Sequence, residues 1–250
     1  MRYKFYSPAE LVCLLAIGFS LLNIGHAQQL QVVTENAPPL QFIKEGKIQG
    51  PTTQIVNAML AHANISADIQ MYPWARAYEF AKSNRDALIY PLIRTPEREQ
   101  QFTWIGPLLT MKLGFIKLKT GDDISITSLD DAKRYKLGVM RGDFTQGYLD
   151  RNNFINDRNY ELFSSIPELL KLLYAQKIDI FIADLPLLKL TAIVQGYDPS
   201  LLVTEFFLPQ QQYKLYLAAH KEMDINTITR LQTSLNYVTV SDSIDKYSAK

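Results

Sequence analysis

Residues 90–107 read YPLIRTPEREQQFTWIGP, and they close an apolar run, ALIYPLI, over residues 87–93. A continuous apolar run of this length is the pattern of a strand covered on both faces. It ends in Arg94-Thr95-Pro96-Glu97-Arg98, so charged and hydroxyl side chains gather at the exit of a buried strand. Open α/β sheets place their ligand sites at such strand ends.

Outward from this block, short apolar strands alternate with amphipathic helices, which predicts an α/β architecture. Strands are expected over residues 30–34, 67–71, 87–93, 112–117, 135–140, 178–183, 201–207 and 213–219. Helices are expected over 51–64, 74–83, 143–152, 167–175, 186–194, 226–238 and 242–247, with a short one opening at Ser128. Gly46 and Gly50-Pro51 mark turns, and Ala37-Pro38-Pro39 forces a loop after the first strand.

Residues 1–27 carry Arg2 and Lys4, then an apolar stretch LVCLLAIGFSLLNI over 11–24, then Gly25-His26-Ala27. That layout is expected to be a secretory signal peptide, its apolar core short of the ~20 residues of a membrane span. The only cysteine, Cys13, lies within it, so the exported chain has no disulfide or thiolate chemistry. Removing Arg2, Lys4 and Glu10 from 26 basic and 25 acidic residues leaves 24 of each. A neutral chain without a basic stripe does not point to nucleic acid. The two remaining histidines, His62 and His220, have no ligand spacing, so neither a metal site nor any other cofactor is expected.

The TPER segment, Thr95 to Arg98, resembles that of the bacterial extracellular solute-binding proteins, family 3, which serve polar amino acid ABC transporters. The strand-end pattern Lys177-Ile178-Asp179-Ile180-Phe181-Ile182-Ala183-Asp184 matches the family as well. The resemblance covers essentially the whole exported chain. It implies a two-lobed periplasmic-binding-protein-like α/β fold, each lobe a mixed sheet flanked by helices, joined by two hinge strands. Residues 28–109 plus 210–250 would build lobe 1, and 110–209 lobe 2. It implies a monomer in the periplasm that captures a small amino-acid-like ligand between the lobes by hinge closure. Its partner would be a membrane permease or a sensor. The rival readings are an exported cyclic-acid dehydratase, with Glu35 or Asp143 as its acid, and an accessory protein that contacts a partner.

In the family an arginine at the place of Arg98 clamps the ligand's carboxylate. A planar guanidinium suits that role, although Arg98 could equally pair with Glu97 or Glu99 on a helix surface. Thr95 belongs to the same turn. Arg94 departs from the family pattern, as a second cation in the site or a salt-bridge partner at the lobe edge. Asp184 ends a strand and opens a helix, as a ligand carboxylate or an N-cap. Asp143 follows Gly142 at a helix start, where relatives carry serine or threonine. An acid there suits the helix dipole and opposes a bound anion. Trp74, with Arg76 two residues on, is expected to pack on the ligand or to be ordinary core. Tyr90 falls near the cleft, and Glu35 faces it in place of an aromatic residue.

Overall fold

The structure is a computed structural model that describes residues 29–120, 124–210 and 212–241. The segment read as a signal peptide and the helix expected over 242–247 lie outside the described residues.

Two five-stranded sheets organise the molecule. The first contains β1 (Leu30–Thr34), β4 (Ala67–Met71), β5 (Ala87–Ile93), β6 (Phe102–Met111) and β12 (Tyr213–His220), in the order β4-β1-β5-β12-β6. The second contains β7 (Leu113–Leu118), β8 (Leu137–Met140), β9 (Tyr160–Phe163), β10 (Ile180–Asp184) and β11 (Leu202–Phe207), in the order β11-β7-β10-β8-β9. Each sheet is mixed: β1 runs parallel to β4 and β5, while β12 is antiparallel to β5 and β6. In the second sheet β8 runs parallel to β9 and β10, and β7 is antiparallel to β10 and β11. A small hairpin, β2 (Phe42–Lys44) with β3 (Lys47–Gln49), stands apart.

The helices are α1 (Pro51–His62), α2 (Trp74–Ser83), α3 (Phe144–Arg151), α4 (Ile166–Tyr174), α5 (Leu185–Val194) and α6 (Ile225–Ser241). Local chemistry explains their starts. Proline opens α1, α4 and α5 in the first turn, where a missing N–H costs nothing. Ser165 caps α4 by accepting from Glu168 N–H. Gly50 precedes α1 at φ 119°, and a Cβ there would lie 2.2 Å from the Leu40 carbonyl oxygen, so only glycine fits.

The chain passes between the sheets twice. Lys112 alone separates β6 from β7, and the second passage lies between β11 and β12. The C-terminal strand and helix thereby return to the first sheet, where α6 packs on α1 and β6. One buried cluster runs from Val33, Trp74 and Ile89 on the first side to Met140, Leu170 and Phe181 on the second.

Four strands depart from expectation. Strand β6 carries Gly106-Pro107, a pair that reads as a break. It survives because β6 is the edge of its sheet, and the register with β12 slips on either side of the Tyr216–Pro107 and Leu217–Gly106 pairs. The β2–β3 hairpin and β9 are three or four residues long, too short to leave a period. The short helix at Ser128 is a 3-10 turn over Asp130–Arg134.

Candidate functional site

A cavity of about 130 Å³ opens between the two sheets. Its walls are largely apolar, with Pro91, Ile93 and Leu215 from one side and Met140, Ile182 and Leu188 from the other. Four charged residues line it: Glu35, Arg98, Asp143 and Asp184. Three are carboxylates and one is a cation, in a space whose remaining surface is mostly apolar.

Glu35 follows β1 directly and is 8% exposed. Its carboxylate has no hydrogen-bond partner among the described residues. Burial, then the nearby charge of Asp143, raises its pKa from the usual carboxylate range to about 8. Asp143 stands before α3 across the cavity. Burial raises its pKa too, opposed by the positive charge of Arg98 and by the Thr145 hydroxyl, which donates to Oδ2 at 2.9 Å. The N–H groups of Phe144 and Thr145, at the start of α3, also favour its ionised form.

Arg98 is 7% exposed, one turn beyond β5. Its NH1 group donates to the Ile93 carbonyl at 2.9 Å, and its guanidinium lies 5.8 Å from the Trp74 ring centre and 5.1 Å from that of Tyr78. The wall thus fixes Arg98 with one bond and two aromatic faces. Asp184 is an N-cap as well as a cavity residue. Its Oδ1 accepts from Leu187 N–H at 3.1 Å, and its Oδ2 accepts from Lys112 N–H at 2.8 Å. The second bond grips the single residue at which the chain leaves the first sheet. Asp184→Ala should therefore cost about 2–3 kcal/mol, from a lost cap and a lost charge-assisted bond, read as a lowered thermal midpoint.

Trp74 lines the cavity at the start of α2, and its Nε1 donates to the Gly142 carbonyl at 2.8 Å. That bond spans the two sheet systems. So do the bond from the Thr191 hydroxyl on α5 to the Pro38 carbonyl and the exposed ion pair between Arg151 and Glu97 at 3.0 Å. Gly142 holds φ 72° and donates its own N–H to Gln146 Oε1 at 2.7 Å.

Four expected site residues lie elsewhere. Tyr90 is fully buried on the opposite face of β5 from Pro91 and Ile93; its hydroxyl shares a 2.9 Å bond with Thr53 of α1. Burial raises its pKa to about 12. Arg94 is exposed and paired to Glu99, with Nε 2.9 Å from Oε2, and packs over Trp104 and Tyr216. Arg94 and Thr95 instead line a separate outer cleft with Tyr148 and Arg151. Arg76 is exposed on α2 and lies 4.3 Å from the Tyr72 ring centre.

Gln41, Thr145 and Thr191 line the cavity without having been foreseen. Gln41 is fully buried and accepts from the Thr52 hydroxyl at 2.9 Å. The Pro38-Pro39 loop that carries it there has no periodic pattern to read. Thr145 lies two residues after Asp143, at a spacing that signals a local hydroxyl–carboxylate bond. Among the described residues no group of acids, histidines or cysteines is arranged to hold a metal ion.

Residues 30–178 match the family described as bacterial extracellular solute-binding proteins, family 3. A curated relative, a probable histidine-binding protein of Neisseria gonorrhoeae, is 24% identical over 237 residues, spanning 91% of this chain and 84% of that relative. Among solved structures, a histidine kinase sensor domain with similarity to periplasmic binding proteins superposes with TM-score 0.76 at 16% identity, covering 89% of this chain and 95% of that one. The arginine-, lysine-, histidine-binding protein ArtJ of Geobacillus stearothermophilus superposes with TM-score 0.75 at 16% identity, covering 89% and 96%. At that identity the superpositions speak to the fold, which is two-lobed. With its family-matched segment supplying strands β1 to β9, the chain belongs to the bacterial extracellular solute-binding proteins, family 3.

Proposed function

We propose that this protein is exported to the periplasm by residues 1–27 and captures a small amino-acid-like ligand bearing a cationic group in the cavity between the sheets. Residues 28–109 with 210–250 serve as one lobe and 110–209 as the other. The passages at Lys112 and between β11 and β12 act as hinges. The observation that carries the ligand's charge is Glu35, a nearly buried carboxylate without a partner that borders the cavity. Such a group either keeps its proton, as it does in the ligand-free protein, or ionises beside a cation that offsets its charge.

Closure follows from the bonds between the sheets. The Trp74–Gly142 and Thr191–Pro38 bonds cross from one sheet system to the other, and opening the cavity would break them. A ligand that touches both walls therefore shifts the population toward this form. The closed form is then read by an ABC permease. The sensor reading is supported by the likeness to a histidine kinase sensor domain. A dehydratase would need Glu35 or Asp143 as its acid, and the relatives named above are binding and sensor proteins.

Thermal unfolding of the ligand-stripped protein tests the reading. A cationic ligand at ~100 times its dissociation constant should add about 2.7 kcal/mol of stability, while aspartate and glutamate should add none. Stabilisation by the acidic compounds alone would sink it.

A further inference from the structure

Resting on the receptor reading above, we propose that the ligand is an organic cation without a carboxylate, an amine or guanidino-amine rather than an α-amino acid, because Asp143 already supplies the carboxylate from within the cavity wall. Two features of the site are suited to hold an anion: the Arg98 guanidinium and the N–H groups at the start of α3. Asp143 stands next to both, directly before α3 and in the same cavity lining as Arg98. Arg98 pulls on the Asp143 charge, and the Phe144 and Thr145 N–H groups favour its ionised form. The Thr145 hydroxyl, another donor on the cavity wall, is committed to Asp143 Oδ2 at 2.9 Å.

A ligand carboxylate brought toward Arg98 would approach a like charge in an apolar enclosure, where such juxtaposition is most costly. Arg98 also has one fewer free donor, because NH1 is committed to the Ile93 carbonyl at 2.9 Å. The charge count points the same way. Arg98 and Asp143 balance each other. That leaves Glu35 and Asp184 as the remaining ionisable residues of the lining, both acids, and a cation placed beside Glu35 would favour its ionised form over the neutral one that burial favours. Glu35 is more than nine-tenths buried and has no partner of its own among the described residues. An amino acid with a basic side chain brings two positive groups and a negative one. Its decarboxylated counterpart brings the two positive groups alone, which is what Glu35 and Asp184 can accept.

Matched pairs separate the two classes. Isothermal titration on the full-length protein, freed of bound ligand by unfolding and refolding, would compare agmatine with L-arginine, cadaverine with L-lysine, and histamine with L-histidine. At least one amine should bind tenfold or more tightly than its parent amino acid. Asp143→Ser retains an N-cap residue and removes the internal carboxylate. It should shift that pair's ratio tenfold or more toward the amino acid, and Asp143→Asn should shift it the same way. Equal or tighter binding of the parent amino acids by the unaltered protein would overturn the inference and leave the receptor reading standing. An unchanged ratio in both variants would also overturn the inference. Absence of binding in all six titrations would remove the receptor reading itself, and the inference with it.

Discussion

Glu35→Gln should abolish most of the loss of stability that the ligand-free protein suffers between pH 5 and pH 8. Burial holds the folded-state pKa of Glu35 at about 8, against about 4.5 for an exposed glutamate. The native state therefore holds its proton more tightly than the unfolded chain does. The stability this confers is complete below about pH 4.5 and falls away as pH rises through 8. At about 1.36 kcal/mol per pH unit, a shift of this size corresponds to at most about 5 kcal/mol, less whatever is relieved when the cavity opens. Asp143 is shifted the same way and leaves a residual slope in the variant. Urea titrations at pH 5 and pH 8 on both proteins measure the difference. A slope as steep in Glu35→Gln as in the parent would refute the assignment. The same substitution should weaken a cationic ligand by about tenfold to 100-fold, since it replaces a charge-assisted bond by a neutral one.

Arg98→Ala should be the most damaging single truncation around the cavity, at about 3–5 kcal/mol. It strips the Ile93 carbonyl of its donor, removes a guanidinium that packs on two aromatic rings, and leaves Asp143 facing the cavity without a counter-charge. The loss should grow as pH rises, because removing Arg98 lifts the Asp143 pKa further and a protonated Asp143 needs no counter-charge. Adding Asp143→Asn to Arg98→Ala should restore part of the stability, and a double-mutant cycle isolates that coupling. Additive effects of the two substitutions would show that the charges do not interact. Arg98→Lys keeps the charge but not the planar fork, and should fall between the two.

How far the molecule is legible before folding depends on the kind of signal. Strand β5 is plain in the sequence because all seven of its residues are apolar and buried, and its limits are found as read. Strand β6 is hidden because the signal that breaks a strand, Gly106-Pro107, is tolerated at an edge, and edges are set by the whole sheet. Asp184 illustrates a different limit. Its position at a strand end permits a cap or a cavity carboxylate. The structure gives both oxygens to backbone N–H groups and still leaves the residue on the cavity wall.

Tyr90 and Arg94 show that nearness in sequence to a site says little about facing it. Alternation along β5 points Pro91 and Ile93 to the cavity and Tyr90 to α1. Arg94, just past the strand, finds Glu99 and two aromatic rings outside. The acidic character of Glu35 and Asp143 is visible as composition. Their approach to each other depends on elements more than 100 positions apart, and no local pattern encodes it.

The indole of Trp74 turns this molecule into its own optical gauge. The chain has two tryptophans, Trp74 and Trp104. Trp74 is 4% exposed, and its N–H is bonded to Gly142 on the far side of the cavity. Under the proposed hinge motion, parting of the two sheets would break that bond and wet the ring, and its emission should move to the red. Trp104 lies away from the cavity, edge-on to Tyr216, and contributes a steady background. Replacing Trp104 by phenylalanine would leave a single-tryptophan protein whose spectrum tests the proposed closure in real time, without any attached dye.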